Sequence, residues 1–256
     1  TSEMKLTCVV SGKDADKYTA EAISLSNPNY ILSGDVTVPF TVFPKIAQIE
    51  WQNIVFTYDG GEHIPDAVVA NLEEGDSCAV TVEGKARNAD THTAKATGLD
   101  NPNYFLPEGT QTEFTVLPLT AIIVWGDTEL TYNGSPQAPC AVVANPADGD
   151  TCEVTVSGAA VYVGGYTATA TGLSNSNYAL PGDTQIPFSI VPINARIEWQ
   201  NTELVYNGQA QKPRAVVANL IGDDTCEAEV VGEGINAGDY FAEAVGLTNE
   251  NYALRS

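Results

Sequence analysis

The residues best placed to do chemistry in this chain recur at one interval. Tryptophans stand at Trp51, Trp125 and Trp199, successive members 74 residues apart. An indole face can stack on a sugar ring, which makes the three Trp candidate ligand contacts. The same interval separates Asn103-Tyr104 from Asn177-Tyr178, whose amides and hydroxyls could meet sugar hydroxyls. Each group also has a plainer reading, which is preferred. Trp51 shares a strand face with the apolar Ile49, as a packing residue does. The Asn-x-Asn-Tyr stretch reads as a turn whose Asn side chains bond their own backbone while the Tyr packs inward.

Asp76, Asp150 and Asp224 keep the 74-residue interval too, in loops such as Asp148-Gly-Asp150 and Gly222-Asp-Asp224. Oxygen-rich loops hold calcium. The spacing in Glu73-Glu-Gly-Asp76 differs, however, and no Asp-x-Asp-x-Asp pattern appears. A solvated hairpin loop whose Asp accepts backbone N–H bonds is the preferred reading. No cofactor is expected, with calcium the one ion these loops would admit. Hydrolytic chemistry is poorly served: there are two histidines, His63 and His92. His92 takes the place of Tyr18, Tyr166 and Tyr240, so it reads as a packing substitute, and a Ser-His-Asp arrangement has no support in the spacing. The chain is not expected to be an enzyme.

Five cysteines make an odd count. Cys78, Cys152 and Cys226 share the 74-residue interval, one per period, and read as small apolar core residues. Cys8 and Cys140 stand outside the series, and a Cys140–Cys152 bridge is the less favoured alternative for Cys140. The stretch 119–192 has neither Lys nor Arg, which excludes a Lys–Asn cross-link there. Asn133-Gly-Ser135 fits a glycosylation sequon, but Asn207-Gly208 and Asp59-Gly60 show that the position calls for a turn.

The elements that must position these residues follow from the repetition. Tyr30, Tyr104, Tyr178 and Tyr252 are 74 apart, the mark of a tandem array. The expected divisions are 1–44, the C-terminal half of a repeat; 45–118 and 119–192, complete repeats; and 193–256, a repeat lacking its last strand. Segments such as Tyr18–Ala22 alternate with period 2, and Gln111–Leu117 makes a last strand that Pro118 ends. No helical period appears. Short strands with a turn every 8–12 residues or so read as a small Ig-like β-sandwich; a β-grasp-like repeat is the alternative. The expected fold class is therefore all-β, a tandem array of 74-residue units. The inward alanines Ala168 and Ala170 imply a close-packed facing sheet. Short Pro-containing connections imply a semi-rigid rod of units about 30–40 Å long, each supported by its neighbours.

A formal net charge of −22 argues against nucleic acid, which needs clustered Lys and Arg, and against an anionic membrane surface. The longest apolar run, Ala121–Trp125, is far short of the roughly 20 residues of a spanning helix. Because the chain starts and stops inside a repeat, it is expected to be a slice of something longer. Closure of the two incomplete repeats by one neighbouring chain would duplicate strands.

The repeated order is a Trp strand, Tyr-(Asn/Asp)-Gly, Pro-x-Ala-Val-Val, Gly-Asp-Thr-Cys, Gly-x-Tyr-Thr-Ala-x-Ala-x-Gly-Leu, Asn-x-Asn-Tyr-x-Leu and Phe-x-Ile-x-Pro. This order resembles the MBG-type repeat domains of large bacterial surface and secreted proteins, over essentially the whole chain. The resemblance implies an extracellular or cell-surface adhesin or stalk without catalytic residues. Its partners would be neighbouring repeats, mucin or glycans, and self-association into filaments. Two functions are thus expected in order: a structural spacer, then a weak multivalent binding module.

Overall fold

The computed structural model describes residues 4–10 and 12–255. The fold is all-β, with 47% of residues in strands and sheets curled into half-barrels. Two compact units divide it, one up to Leu119 and one from Thr120. The sequence division at 119 falls at their border, and those at 45 and 193 fall inside them.

Unit 1 begins with β1 (Leu6–Val9), β2 (Lys17–Leu25) and β3 (Thr37–Thr41). They form one antiparallel sheet in that order, with Tyr18 opposite Phe40. Then follow β4 (Lys45–Ile46), β5 (Ile49–Gln52), β6 (Val55–Thr57), β7 (Asp66–Val69) and β8 (Val80–Glu83). The unit closes with β9 (Asp90–Leu99), β10 (Tyr104–Phe105) and β11 (Gln111–Leu117). Segment 45–118 thus holds eight strands, of which β4 and β10 are two-residue pieces.

The central sheet has the order β6-β11-β9-β8. Strand β11 sits between a parallel neighbour, β6, and an antiparallel one, β9, with Phe114 opposite His92. Its sequence explains its position. Phe114 and Val116 alternate with polar residues and are buried, so one face seals the core while the backbone serves two ladders. Strands β5 and β7 form a separate antiparallel ladder that sets Trp51 opposite Ala67, with Val68 bridged to Ala79 ahead of β8, while β4 pairs with β10 in parallel. Ala47, Val69 and Tyr104 form a buried cluster, with Ile49, Cys78, Val80 and Leu99 packed on it.

Strand β12 (Leu119–Thr120) stands at the border. Unit 2 runs through β13 (Ile123–Trp125), β14 (Glu129–Thr131), β15 (Ala141–Val143), β16 (Val154–Ser157), β17 (Gly164–Leu173), β18 (Tyr178–Ala179) and β19 (Gln185–Val191). It ends with β20 (Ile193–Asn194), β21 (Ile197–Gln200), β22 (Arg214–Val217), β23 (Ala228–Val231), β24 (Glu243–Leu247) and β25 (Tyr252–Ala253). The four-stranded sheet β14-β19-β17-β16 repeats the order of unit 1, with Tyr166 opposite Phe188. Ala168 and Ala170 are buried, as their small size foretold. A core cluster joins Tyr132, Ala168, Phe188 and Ile190 with Val217 and Tyr252, so packing continues across the 192/193 division.

One glycine position shows why the pattern is fixed. Gly158 has φ +94°, and a Cβ there would lie 2.4 Å from the Thr167 carbonyl oxygen. Any side chain would meet both a strained backbone and a carbonyl in β17. Gly84 in unit 1 has φ +105° and the same 2.4 Å approach, to Thr93.

Candidate functional site

The recurring polar residues converge on hydrogen bonds inside each unit. The Asn-x-Asn-Tyr turn comes first. Asn103 N–H donates to Asn101 Oδ1 at 2.9 Å, and Asn101 Nδ2 donates to the Ser77 carbonyl at 2.8 Å. Asn177 N–H and Asn251 N–H donate to Asn175 Oδ1 and Asn249 Oδ1, each at 3.0 Å. The turn is therefore an Asx motif that holds its own backbone.

The second Asn of the turn reaches further. Asn103 Oδ1 accepts from Ala15 N–H at 2.6 Å, and its Nδ2 donates to Asp14 Oδ1 at 2.9 Å. Segment 1–44 is thereby tied to segment 45–118 by one side chain. In unit 2, Asn251 Oδ1 accepts from Val163 N–H at 3.0 Å, tying 119–192 to 193–256 in the same way. Both pairs are displaced from one another by 148 residues, two periods of the sequence.

The Tyr that follows is buried at Tyr104, Tyr178 and Tyr252. Its hydroxyl accepts a backbone N–H and donates to the Asp once considered for calcium. Tyr104 OH accepts from Glu73 N–H at 2.7 Å and donates to Asp76 Oδ2 at 2.9 Å. Tyr178 OH accepts from Ala147 N–H at 2.6 Å and donates to Asp150 Oδ2 at 2.9 Å. Tyr252 OH accepts from Ile221 N–H at 2.7 Å and donates to Asp224 Oδ2 at 2.9 Å. A second phenol then arrives from the preceding segment: Tyr132 OH donates to Asp224 Oδ2 at 2.8 Å. The Tyr132 and Tyr252 rings meet edge to face at 6.0 Å. One carboxylate between two phenols, with a buried aromatic pair beneath it, is a structural latch between segments.

The electrostatics agree with this geometry. The hydrogen bond to the Asp224 carboxylate, assisted by burial, pushes the Tyr132 phenol up to about 12. Burial pushes Tyr252 up, with the Ile221 N–H acting in the opposite direction and Asp224 reinforcing it. A phenol raised in the folded state adds stability that is complete below its ordinary value near 10, and that is lost as pH climbs through its folded value. Phenolate absorbance is thus expected to show Tyr132 ionising late, near pH 12, together with loss of the β-sheet circular dichroism signal. Ionisation of every tyrosine near pH 10 with the fold intact would contradict the latch.

The tryptophans lie elsewhere, on the two-stranded ladders β5-β7, β13-β15 and β21-β22. Trp51 and Trp125 are half-buried opposite Ala67 and Ala141, and Trp125 packs on the unit 2 core. Trp199, opposite Ala215, is 39% exposed. The Trp therefore sit on the two-stranded ladders, and the Asn103 and Asn251 turns on the segment junctions.

His92 explains itself. Tyr18 OH and Tyr166 OH donate to carbonyls four residues back, those of Asp14 and Tyr162, at 2.7 and 2.9 Å. His92 Nε2 makes the same bond to the Asn88 carbonyl at 2.8 Å, with its ring 5.6 Å from Phe114. An imidazole N–H donates here in place of a phenol. His63 stacks on Phe56 at 4.9 Å, with Nε2 3.0 Å from Asp59 Oδ1 but off the line of a hydrogen bond. The Gly61 N–H, ahead of His63, holds the Asp59 carboxyl below its ordinary value.

All five thiols are free, including Cys140 and Cys152. Cys78, Cys152 and Cys226 are half-buried rather than fully buried, and Cys78 and Cys226 pack at the margin of a core cluster. Among the described residues no three His, Cys, Asp or Glu side chains gather as a metal ion would need. Among the described residues there is no helix long and apolar enough to cross a membrane.

Sequence reasoning missed the latch although its signal was present. Tyr58, Tyr132 and Tyr206 recur in step with Asp76, Asp150 and Asp224. A Tyr and an acid that recur together mark a hydrogen-bonded pair, and the acid alone had drawn attention to calcium. No family model matches the chain, and no curated protein or solved structure matches it either.

Proposed function

We propose that this chain is a structural spacer: a tandem array of small Ig-like β-sandwich units of the MBG type, projecting or linking other domains of a large bacterial surface protein. One observation carries the reading. The polar side chains that recur with the 74-residue period close bonds within the fold and between adjoining segments, as Asn103, Asn251 and Asp224 do. A binding surface would instead present recurring polar groups to solvent. A fixed joint suits a spacer, because the buried latch at Asp224 ties segment 119–192 to segment 193–256. The negative charge keeps such arrays soluble and apart. No catalytic role is proposed.

The test is binding of the full chain to immobilised mucin and to a glycan panel, at physiological salt, with and without calcium. The expected result is no saturable binding in any condition. Saturable binding that is lost on replacing Trp199 with Ala would replace the spacer by a multivalent binding module.

A further inference from the structure

The longest apolar run of the chain, Ala121–Trp125, includes the whole of β13. The ladders β5-β7, β13-β15 and β21-β22 are equivalent, and their inward residues recur: Ile49 and Trp51, Ile123 and Trp125, Ile197 and Trp199. Their opposite faces differ. The first strand and its flanks present Gln48, Glu50 and Gln52 in one segment, and Arg196, Glu198 and Gln200 in another. In segment 119–192 the same three positions hold Ile122, Val124 and Gly126, and Cys140 stands where Asp66 and Arg214 stand. Strand alternation puts Ile122, Val124 and Gly126 on one face with Cys140 and Val142. Val124 lies opposite Val142. Ile122 is 58% exposed, Val142 56% and Val124 48%. Glu153, bridged to Val142, borders this face.

The same strand has an open side. Ala144 N–H donates to the Ile122 carbonyl and Gly126 N–H to the Cys140 carbonyl, both at 2.8 Å. Residues 122, 124 and 126 thus turn their backbone groups toward β15, and Ile123 and Trp125 turn theirs the other way. Among the described residues β13 has a ladder with β15 alone. An open strand edge is a template for another strand, and a charge on the edge guards against it. Strands β5 and β21 carry such a charge, Glu50 and Glu198, at the position where β13 carries Val124. Charge also selects the occupant. When a strand pairs antiparallel with its own copy about a two-fold axis, its central residue faces itself. Glu50 or Glu198 would face an identical carboxylate, which is destabilising, whereas Val124 faces a valine.

We propose that β13 pairs antiparallel with β13 of a second copy of this chain, about a two-fold axis at Val124. Ile123 of each copy then exchanges backbone hydrogen bonds with Trp125 of the other, which occupies the open groups of both strands. On the apolar face, Val124 meets Val124, and Ile122 of each copy lies over Gly126 of the other. The absence of a side chain at Gly126, where the other segments have Gln52 and Gln200, leaves room for that isoleucine beside Cys140. The two β13-β15 ladders become one sheet of four strands. The contact is isologous, so it closes at two copies and does not propagate. A ladder this short gives a weak dimer that forms with rising concentration. Copies with a charge of −22 repel one another, so added salt strengthens the pairing. The inference adds to the spacer reading without depending on it, since failure to dimerise would leave mucin and glycan binding unaffected.

The experiment is sedimentation of the full chain and of its Val124→Glu variant over a concentration series at low and high salt. The chain is expected to pass from monomer to dimer as concentration and salt rise, and the variant to lose the dimer at every concentration. Val124→Glu is expected to fold, because Glu50 and Glu198 occupy the equivalent positions; an unchanged circular dichroism spectrum checks this. A second measurement uses no disruptive substitution. Val124→Cys, in a chain with Cys8→Ser and Cys140→Ser, is oxidised beside a Glu50→Cys control in the same background. Cross-linked dimers are expected well above the control. A monomer at every concentration of the unsubstituted chain would overturn the proposal. So would dimers that persist in Val124→Glu, because the contact would then lie elsewhere, and so would cross-linking no higher than the control.

Discussion

Replacing Phe188 with Ala is expected to destabilise unit 2 by about 3–5 kcal/mol, the usual cost of emptying a buried aromatic site. Phe188 is 4% exposed, at the centre of the cluster with Tyr132, Ala168 and Ile190, and its ring lies 5.7 Å from Tyr166. The side chain seals a strand that carries two ladders, so neighbouring atoms have little freedom to collapse into the space. Phe40→Ala provides the control. Phe40 has the same relation to Tyr18, at 5.7 Å, but is half-buried beside a single ladder. Urea unfolding is expected to show a smaller loss for Phe40→Ala than for Phe188→Ala. Equal losses would mean that burial does not distinguish the two strands.

The second large effect concerns the latch. Asp224→Ala removes the acceptor of two phenols, Tyr132 at 2.8 Å and Tyr252 at 2.9 Å. Hydrogen bonds to a charged acceptor contribute more than neutral ones, and the phenols left behind are buried. A loss of about 3 kcal/mol is expected for unit 2, on the order of 10 °C in Tm for a unit of this size. Asp76→Ala is expected to cost less in unit 1, because among the described residues Asp76 receives the Tyr104 hydroxyl alone. Asp224→Asn, which keeps an acceptor oxygen but no charge, should recover part of the stability. It should also bring the late phenols back toward ordinary ionisation. Thermal unfolding followed by circular dichroism checks the order Ala, Asn, wild type.

Much of the β architecture was legible because its cause is local. Alternation in Gln111–Leu117 placed Phe114 and Val116 on one face, and the structure buries both. The turn reading of Asn-x-Asn-Tyr was legible for the same reason, since Asn101 and Asn103 bond within two residues. What alternation could not convey was order across the sheet. That β11 enters between β6 and β9, with one parallel neighbour, depends on pairings about 60 residues apart in sequence. The latch stayed hidden for a related reason. Tyr132 and Asp224 are 92 residues apart, and each has a sufficient local explanation, a turn for one and a loop for the other. His92 shows the opposite case: its role follows from the Tyr at equivalent positions, and only the Asn88 carbonyl had to be found.

Within unit 2, segments 119–192 and 193–256 are held by shared buried contacts rather than strung on a free linker. Hydrogen exchange of the full chain carrying Tyr132→Phe tests it most directly. The substitution lies in segment 119–192, while Asp224 and Ile221 lie in segment 193–256, where Ile221 N–H donates to Tyr252 OH and Asp224 N–H to the Ile221 carbonyl. Loss of one hydroxyl at Tyr132 is expected to speed exchange at Ile221 and Asp224, across the segment division. Faster exchange confined to residues 120–192, with Ile221 and Asp224 unchanged, would contradict the claim.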